Sequence, residues 1–206
     1  MRCINMSCWE VWYCLKSYDM KLKVEPYEYV TNTPKGKLLQ LQELEHLAEN
    51  ITGNIVEIGS FLGRATIIMA RGLVKGKGGK IYTIDPHTHN DIQYHQLINN
   101  IKQCPFRDHV QVIRDYSYRV WENKQPKIIF KQPVDMIFID GNHWYEDVKR
   151  DTEWIQLVCK GGVIAFHDYC LRWKHGVVQA VKEYCEYNDD IEFEKLIGSL
   201  IIFKKL

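Results

Sequence analysis

The sequence lacks the features that mark disulfide-rich, zinc-binding or membrane-spanning proteins. Its seven cysteines are odd in number and scattered, and none of them forms a C-x-x-C pair. This pattern favours free thiols in a reducing compartment, so we expect a cytoplasmic protein with neither a disulfide framework nor a cysteine zinc site. The chain also has no apolar run that is long enough to cross a bilayer.

A strong charge of either sign is missing as well. The 27 basic residues against 26 acidic residues give a formal net charge of +1 and a pI near 7.6. Nothing in this balance calls for nucleic acid or an anionic membrane as a partner. The 206 residues suit one domain that is large enough to bury a proper core.

A dinucleotide fingerprint is the third absence. The stretch Asn54–Arg64 reads N-I-V-E-I-G-S-F-L-G-R, with Gly59 and Gly63 in the spacing G-x-x-x-G instead of G-x-G-x-x-G. The apolar run before Gly59 predicts a buried strand, and the residues after it are spaced as in a helix. A strand that turns at a glycine into a helix is a typical ligand-binding corner of open α/β sheets.

Glu57 narrows the choice of ligand for this corner, because it lies two residues before the glycine. Its carboxylate would repel a pyrophosphate and would attract a cationic amine or sulfonium. The alternative is an ordinary strand–turn–helix with a buried or rim glutamate and no ligand.

Hydrophobic periodicity predicts a regular alternation of strands and helices along the rest of the chain. The predicted strands are 55–58, 80–85, 109–114, 134–140 and 161–167, with a closing hairpin of 192–195 and 199–203. The predicted helices are 35–50, 61–72, 91–103, 144–158 and 177–187. This alternation indicates a doubly wound α/β domain.

Polar residues are concentrated at the carboxyl ends of the predicted strands, which is the edge where ligands bind in such sheets. They are Glu57, Asp85, Asp115, Asp140, His143, His167 and Asp168. Solvated loops would carry polar residues at both ends of the strands, so the concentration at one edge favours a binding site. Asp85, 22 residues after Gly63, could accept two hydrogen bonds from a ribose diol. Asp115 could meet a nucleobase edge or cap a helix. For His87 and His89, in the loop after Asp85, we expect a surface or pocket-rim role.

Several runs together resemble class I S-adenosylmethionine-dependent methyltransferases. They are E-I-G-S-F-L-G-R-A-T at 57–66, I-D at 84–85, F-I-D-G-N-H-W-Y-E-D-V-K-R-D at 138–151 and K-G-G-V-I-A-F-H-D-Y at 160–169. The sequence is most similar to the branch that includes macrocin- and mycinamicin-type sugar O-methyltransferases and cephalosporin hydroxylase-like proteins. The resemblance covers roughly residues 36–206. It implies a seven-stranded, Rossmann-like sheet, mostly parallel, with one antiparallel strand in the C-terminal hairpin.

The resemblance also implies which residues bind S-adenosylmethionine. The methionine end would be held by Glu57, Gly59, Ser60 and Gly63. Asp85 would hold the ribose, and Asp115 and Ser117 would lie beside the adenine.

The resemblance further implies that the catalytic residues lie just after the fourth and fifth strands. Asp140 and Asp168 match the positions of aspartates that bind a divalent metal such as Mg²⁺ in sugar methyltransferases of this kind. His167 stands where the macrocin-type pattern has an acidic residue, which shifts the preference towards manganese, iron or zinc. The chosen general base is His143, because its intrinsic pKa lies near the working pH. Its alternative role is to order the loop at the start of a helix.

The acceptor is harder to read from the sequence. Four aromatic residues could stack on a sugar or aromatic face, or could simply belong to the core and rim: Trp144, Tyr145, Tyr169 and Trp173. We expect residues 1–35 to be an N-terminal extension that forms a lid or a subunit contact in a homo-oligomer, with an accessory helix as the alternative. Residues 36–206 would be the S-adenosylmethionine-binding domain.

Three functions remain open. The leading one is O-methylation of a hydroxyl on a sugar or another small-molecule or glycan acceptor. The second is a protein that binds S-adenosylmethionine without methyl transfer, in a regulatory or assembly role. The third is a nicotinamide-dependent oxidoreductase, which Glu57 and the missing middle glycine disfavour.

Overall fold

The computed structural model describes residues 34–76, 78–88, 91–123, 130, 133–169 and 175–206. Nearly all of the expected extension 1–35 lies outside these residues, and its role stays a prediction. His89 and Trp173 also lie outside the described residues.

The described residues form one sheet of seven strands. These are β1 (Asn54–Ile58), β2 (Ile81–Ile84), β3 (Val110–Ile113), β4 (Val134–Ile139), β5 (Val158–Phe166), β6 (Ile191–Ile197) and β7 (Leu200–Lys205). Their order across the sheet is β3-β2-β1-β4-β5-β7-β6. The first five strands pair in parallel, whereas β7 is antiparallel to both β5 and β6. The predicted fold class, with its single antiparallel strand, is confirmed.

Six α-helices connect and cover the strands in the described part of the chain. They are α1 (Pro34–Glu49), α2 (Arg64–Lys75), α3 (Asp91–Gln103), α4 (Ser117–Glu122), α5 (Tyr145–Asp151) and α6 (His175–Tyr187). Short 3₁₀ turns follow α3 and α5, at Arg107–His109 and Thr152–Leu157. Helix α4 was not predicted. The predicted helix 144–158 was too long, because its last part is the second 3₁₀ turn and Val158 pairs with Val134 in the sheet.

The hydrophobic core has two layers, one on each face of the sheet. Helices α1 and α2 cover one face, where Leu44 and Leu73 pack with Ile55 of β1. Helices α4, α5 and α6 cover the other face, where Val148 and Val178 pack in the same cluster as Val56. Because both faces are covered, all five residues of β1 are buried, as expected for a central parallel strand. None of the helices in the described ranges is long and apolar enough to cross a membrane.

Candidate active site

The corner after β1 is shaped by glycine. Gly59 has a φ of +92°, and a Cβ atom there would lie 2.2 Å from the carbonyl oxygen of Asp140. Gly63, at the start of α2, has a φ of +84°. The backbone N–H of Gly59 donates to the carbonyl of Ile84, at 2.9 Å. The ends of β1, β2 and β4 therefore meet at Gly59, and a side chain there would separate them.

Asp85 holds the corner in place from the end of β2. Its Oδ2 atom accepts hydrogen bonds from the backbone N–H groups of Ser60 and Phe61, both at 3.0 Å. Its Oδ1 atom accepts a hydrogen bond from the backbone N–H of His87, at 2.9 Å. A carboxylate has about four acceptor positions, so these three bonds leave room for a further donor. The predicted ribose contact is not tested by these bonds and stays a prediction.

Glu57 lies beneath the corner and is fully buried. Its Oε2 atom accepts a hydrogen bond from the Thr66 hydroxyl at 2.6 Å. Burial, with a smaller contribution from the charges of Asp140 and Asp85, raises the pKa of Glu57 to about 8. The carboxyl group is therefore mostly neutral at pH 7 until a cation comes near it.

His87 has a buried position instead of the expected place on the surface or rim. Only 4% of the residue is exposed, its φ is +48°, and its Nε2 atom lies 3.3 Å from the Ser60 hydroxyl. Burial lowers its pKa, so the ring is neutral at pH 7. His87 thus packs against the corner and contacts Ser60.

The end of β3 is tied to α5. The Ser117 hydroxyl donates a hydrogen bond of 2.5 Å to Oδ1 of Asp151, whose side chain is buried. Asp115 accepts a hydrogen bond from the backbone N–H of Tyr116 at 2.8 Å. Burial raises the pKa of Asp151 to about 7. Asp151 was not among the predicted site residues, although its position three residues after the buried Val148 places it on the inner face of the helix.

Two aspartates and two histidines converge just after β4 and β5, because the two strands are parallel neighbours. The Nε2 atom of His143 lies 3.2 Å from Oδ2 of Asp168 and 3.9 Å from Oδ1 of Asp140. The Nδ1 atom of His167 lies 3.1 Å from Oδ1 of Asp140 and 3.5 Å from Oδ1 of Asp168. Both imidazoles therefore face the same pair of carboxylates.

The protonation of Asp140 follows from these neighbours. Burial on its own would raise the pKa of this carboxyl group, but hydrogen bonds from His143 and His167 outweigh burial and lower it. Asp140 is therefore charged at neutral pH. Asp168 has a φ of +55°, an uncommon backbone conformation that aspartate tolerates better than most residues.

Three of the four residues also have the arrangement of a metal site. One atom each of Asp140, His143 and Asp168 lies within 4.8 Å of the others. The sequence predicts a metal group of His167 with the two aspartates, whereas in the structure His143 completes a group of this kind and Nδ1 of His167 lies 3.1 Å from Oδ1 of Asp140. Carboxylate and imidazole together suit manganese, iron or zinc.

The aromatic residues near the site differ in exposure. Trp144 is 75% exposed and Phe61 is 60% exposed, and both follow strand ends at the site edge of the sheet. Tyr145 donates a hydrogen bond to Glu183, and Tyr169 is buried in the core. Of the predicted acceptor-wall residues, Trp144 is thus the one with a large free face in the described part of the chain.

A family described as a methyltransferase domain matches residues 56–169. The match covers the Gly59 corner, the ends of β2 and β3, and the group formed by Asp140, His143, His167 and Asp168. The chain belongs to this methyltransferase family. The family prediction from the sequence is confirmed. The chain is also 31% identical to the uncharacterized protein R132 of Acanthamoeba polyphaga mimivirus over an alignment of 167 positions, and this alignment covers 76% of this chain and 72% of the relative.

Solved methyltransferase structures share the fold. An O-methyltransferase from Bacillus cereus in complex with SAH has a TM-score of 0.62 and 21% identity, covering 96% of this chain and 99% of its own. CalS11, a TDP-rhamnose 3′-O-methyltransferase of calicheamicin biosynthesis, has a TM-score of 0.64 and 16% identity, covering 95% and 93%. The O-methyltransferase NovP has a TM-score of 0.64 and 17% identity, covering 81% and 79%. At these identities the likeness concerns the fold.

Proposed function

We propose that this methyltransferase transfers the methyl group of S-adenosylmethionine to a hydroxyl oxygen of a sugar or another small-molecule or glycan acceptor. One observation carries the proposal: the Gly59 corner packs directly against Asp140. A donor at the corner and an acceptor at the Asp140–His143–Asp168 group would therefore be neighbours. The fold is also that of an O-methyltransferase with bound SAH.

The residues of the corner fit a cationic donor. The charges of Asp140 and Asp85 raise the pKa of buried Glu57, which means that negative potential accumulates at this point. A sulfonium and an ammonium group would relieve it. In the proposal, Asp85 meets the ribose diol, while Asp115 and Ser117 lie beside the adenine. The methionine end is held by Glu57, Gly59, Ser60 and Gly63.

His143 is the proposed general base. A hydroxyl group is a poor nucleophile at neutral pH, so its proton has to leave as the oxygen takes the methyl group. The Nε2 atom of His143 lies 3.2 Å from the carboxylate of Asp168, and this negative charge favours a proton on Nε2, which leaves Nδ1 as the basic nitrogen. The carboxylates of Asp168 and Asp140 then stabilise the imidazolium that forms. S-adenosylmethionine supplies the electrophilic methyl group when it is bound.

The same group fits a divalent cation. Asp140 and Asp168 would hold it together with His143, and the cation would lower the pKa of the acceptor hydroxyl. A His143 bound to metal would not be a base, so removal of metal distinguishes the two roles. With His143 as the base, EDTA leaves turnover intact; with a required metal, EDTA abolishes it and Mn²⁺ restores it.

The acceptor would lie against the exposed rim. Trp144 offers a flat, exposed indole face, which suits stacking on a sugar or an aromatic ring. A sugar acceptor is supported by the similarity to CalS11, whose acceptor is a TDP-linked sugar. Replacement of Trp144 by alanine should raise the acceptor KM while the affinity for S-adenosylhomocysteine stays the same.

The decisive test begins with calorimetry. S-adenosylhomocysteine should bind to the purified chain and NADH should not, and the absence of S-adenosylhomocysteine binding would refute the proposal. A methyl-transfer screen with labelled S-adenosylmethionine over sugars, catechols and polyketides, with and without Mg²⁺ or Mn²⁺, then identifies the acceptor. His143→Gln should reduce turnover by about 100-fold or more and keep S-adenosylhomocysteine affinity. His46→Gln, at an exposed position of α1, is the matched control.

A further inference from the structure

Gln40 is a buried polar residue that reaches the site from outside the matched region. It lies on α1, only 4% of it is exposed, and the family match begins at residue 56. Neither the family resemblance nor the proposed function assigns it a role.

The amide of Gln40 is held at both ends. Its Oε1 atom lies 2.9 Å from Nε2 of His167, and its Nε2 atom donates to the Ser199 hydroxyl at 3.3 Å. Gly198, with a φ of +61°, makes room for it, because a Cβ atom there would lie 2.4 Å from Nε2 of Gln40. The Gln40 amide on α1 is thus closely packed against the β6–β7 turn.

The contact continues from His167 into the site. Nε2 of the His167 ring faces Gln40, and Nδ1 faces Oδ1 of Asp140 at 3.1 Å. Phe138 packs against the ring edge-to-face, with centroids 6.3 Å apart. With both nitrogens engaged, the ring has one orientation, and Oδ1 of Asp140 has a fixed partner in addition to His143. Groups that hold a site residue from behind often affect the site as strongly as its direct ligands do.

We propose that Gln40 is a positioning residue of the methyl-transfer site, which fixes the ring of His167 and through it the carboxylate of Asp140. The inference rests on the proposed function for its consequence in catalysis, while the contact itself can be tested separately. In this arrangement His167 serves to orient Asp140.

The test compares Gln40→Met with Gln42→Met by NMR. Methionine has nearly the shape of glutamine without its hydrogen bonds, and Gln42 is exposed on the same helix. Long-range ¹H–¹⁵N spectra report which ring nitrogen of His167 is hydrogen-bonded, and ¹³C spectra report the Asp140 carboxyl carbon. We expect both signals to shift in Gln40→Met and neither to shift in Gln42→Met. Signals that stay in place in Gln40→Met, or a shift of His167 without a shift of Asp140, would overturn the inference.

Two further measurements keep the outcome clear. Ser199→Ala removes the hydroxyl that binds the Gln40 amide, and it should shift the His167 and Asp140 signals in the same direction. This second variant decides the question if Gln40→Met folds poorly. Unchanged signals in Ser199→Ala would then count against the inference. S-adenosylhomocysteine affinity should stay within about twofold in all variants. Loss of that binding in the wild type would refute the proposed function but not the contact.

Discussion

Replacement of Glu57 by glutamine should change how the stability of the protein depends on pH. The folded pKa of Glu57 is raised from 4.5 to about 8, mainly by burial. Because the folded pKa lies above the unfolded one, the contribution of Glu57 to the free energy of unfolding is complete below about pH 4.5 and is lost as pH rises towards 8. At about 1.36 kcal/mol per pKa unit, an ionised Glu57 costs about 5 kcal/mol relative to the protonated form.

The measurement is urea unfolding of the wild type and the Glu57→Gln variant at pH 6 and pH 9. Linkage predicts that the wild type loses about 3 kcal/mol more than the variant between these pH values, because glutamine has no proton to lose. The stability of the variant can differ from that of the wild type at both pH values, since the glutamine amide takes the place of the carboxyl group that accepts the Thr66 hydrogen bond. Glu49→Gln, at an exposed position at the end of α1, should leave the pH dependence unchanged. Equal losses in the wild type and Glu57→Gln would show that Glu57 is not held in the neutral form.

Three further predictions follow from the same contacts. Asp151→Asn should stabilise the protein at pH 8 more than at pH 5, by about 3 kcal/mol in urea unfolding, because burial raises the pKa of Asp151 to about 7; equal gains at both pH values would contradict this. Gly59→Ala should lose at least about 2 kcal/mol more stability than Gly78→Ala, because Gly78 has a similar positive φ of +89° but no atom of the described residues within 4 Å of its Cβ position. Calorimetry in buffers of different ionisation enthalpy should show proton release when S-adenosylhomocysteine binds at pH 7, because its ammonium lowers the pKa of Glu57, and Glu57→Gln should abolish that release.

The strands could be predicted from sequence because their apolar runs are short, nearly continuous and bounded by polar residues. The overlong helix after Trp144 arose because Trp154, Ile155 and Val158 have helical spacing. In the structure these residues belong to a 3₁₀ turn and the start of β5, and pairing with β4 decides their conformation. Helix α4 was missed because six residues are too few for a periodic signal.

The site could be predicted as far as strand ends define it. Parallel neighbours bring Asp140 and His167 to one edge whatever the loops do, and the sequence analysis placed them together for that reason. The residues that contact these site residues from the helices could not be derived in the same way. Ser117 bonds Asp151, and Gln40 reaches His167 across 127 positions of the chain, and both contacts depend on how helices dock on the sheet. Hydrophobic periodicity carries no information about such pairs.

The place of β7 in the sheet has a consequence for how the chain folds during synthesis. This strand is made after β5 and β6, yet it lies between them and pairs with both. Until β7 has left the ribosome, β5 has an open edge whose backbone groups could pair with another nascent chain, and β6 has no place in the sheet. The sheet is therefore complete only once β7 has formed, and until then the open edge of β5 favours association with other chains over native pairing.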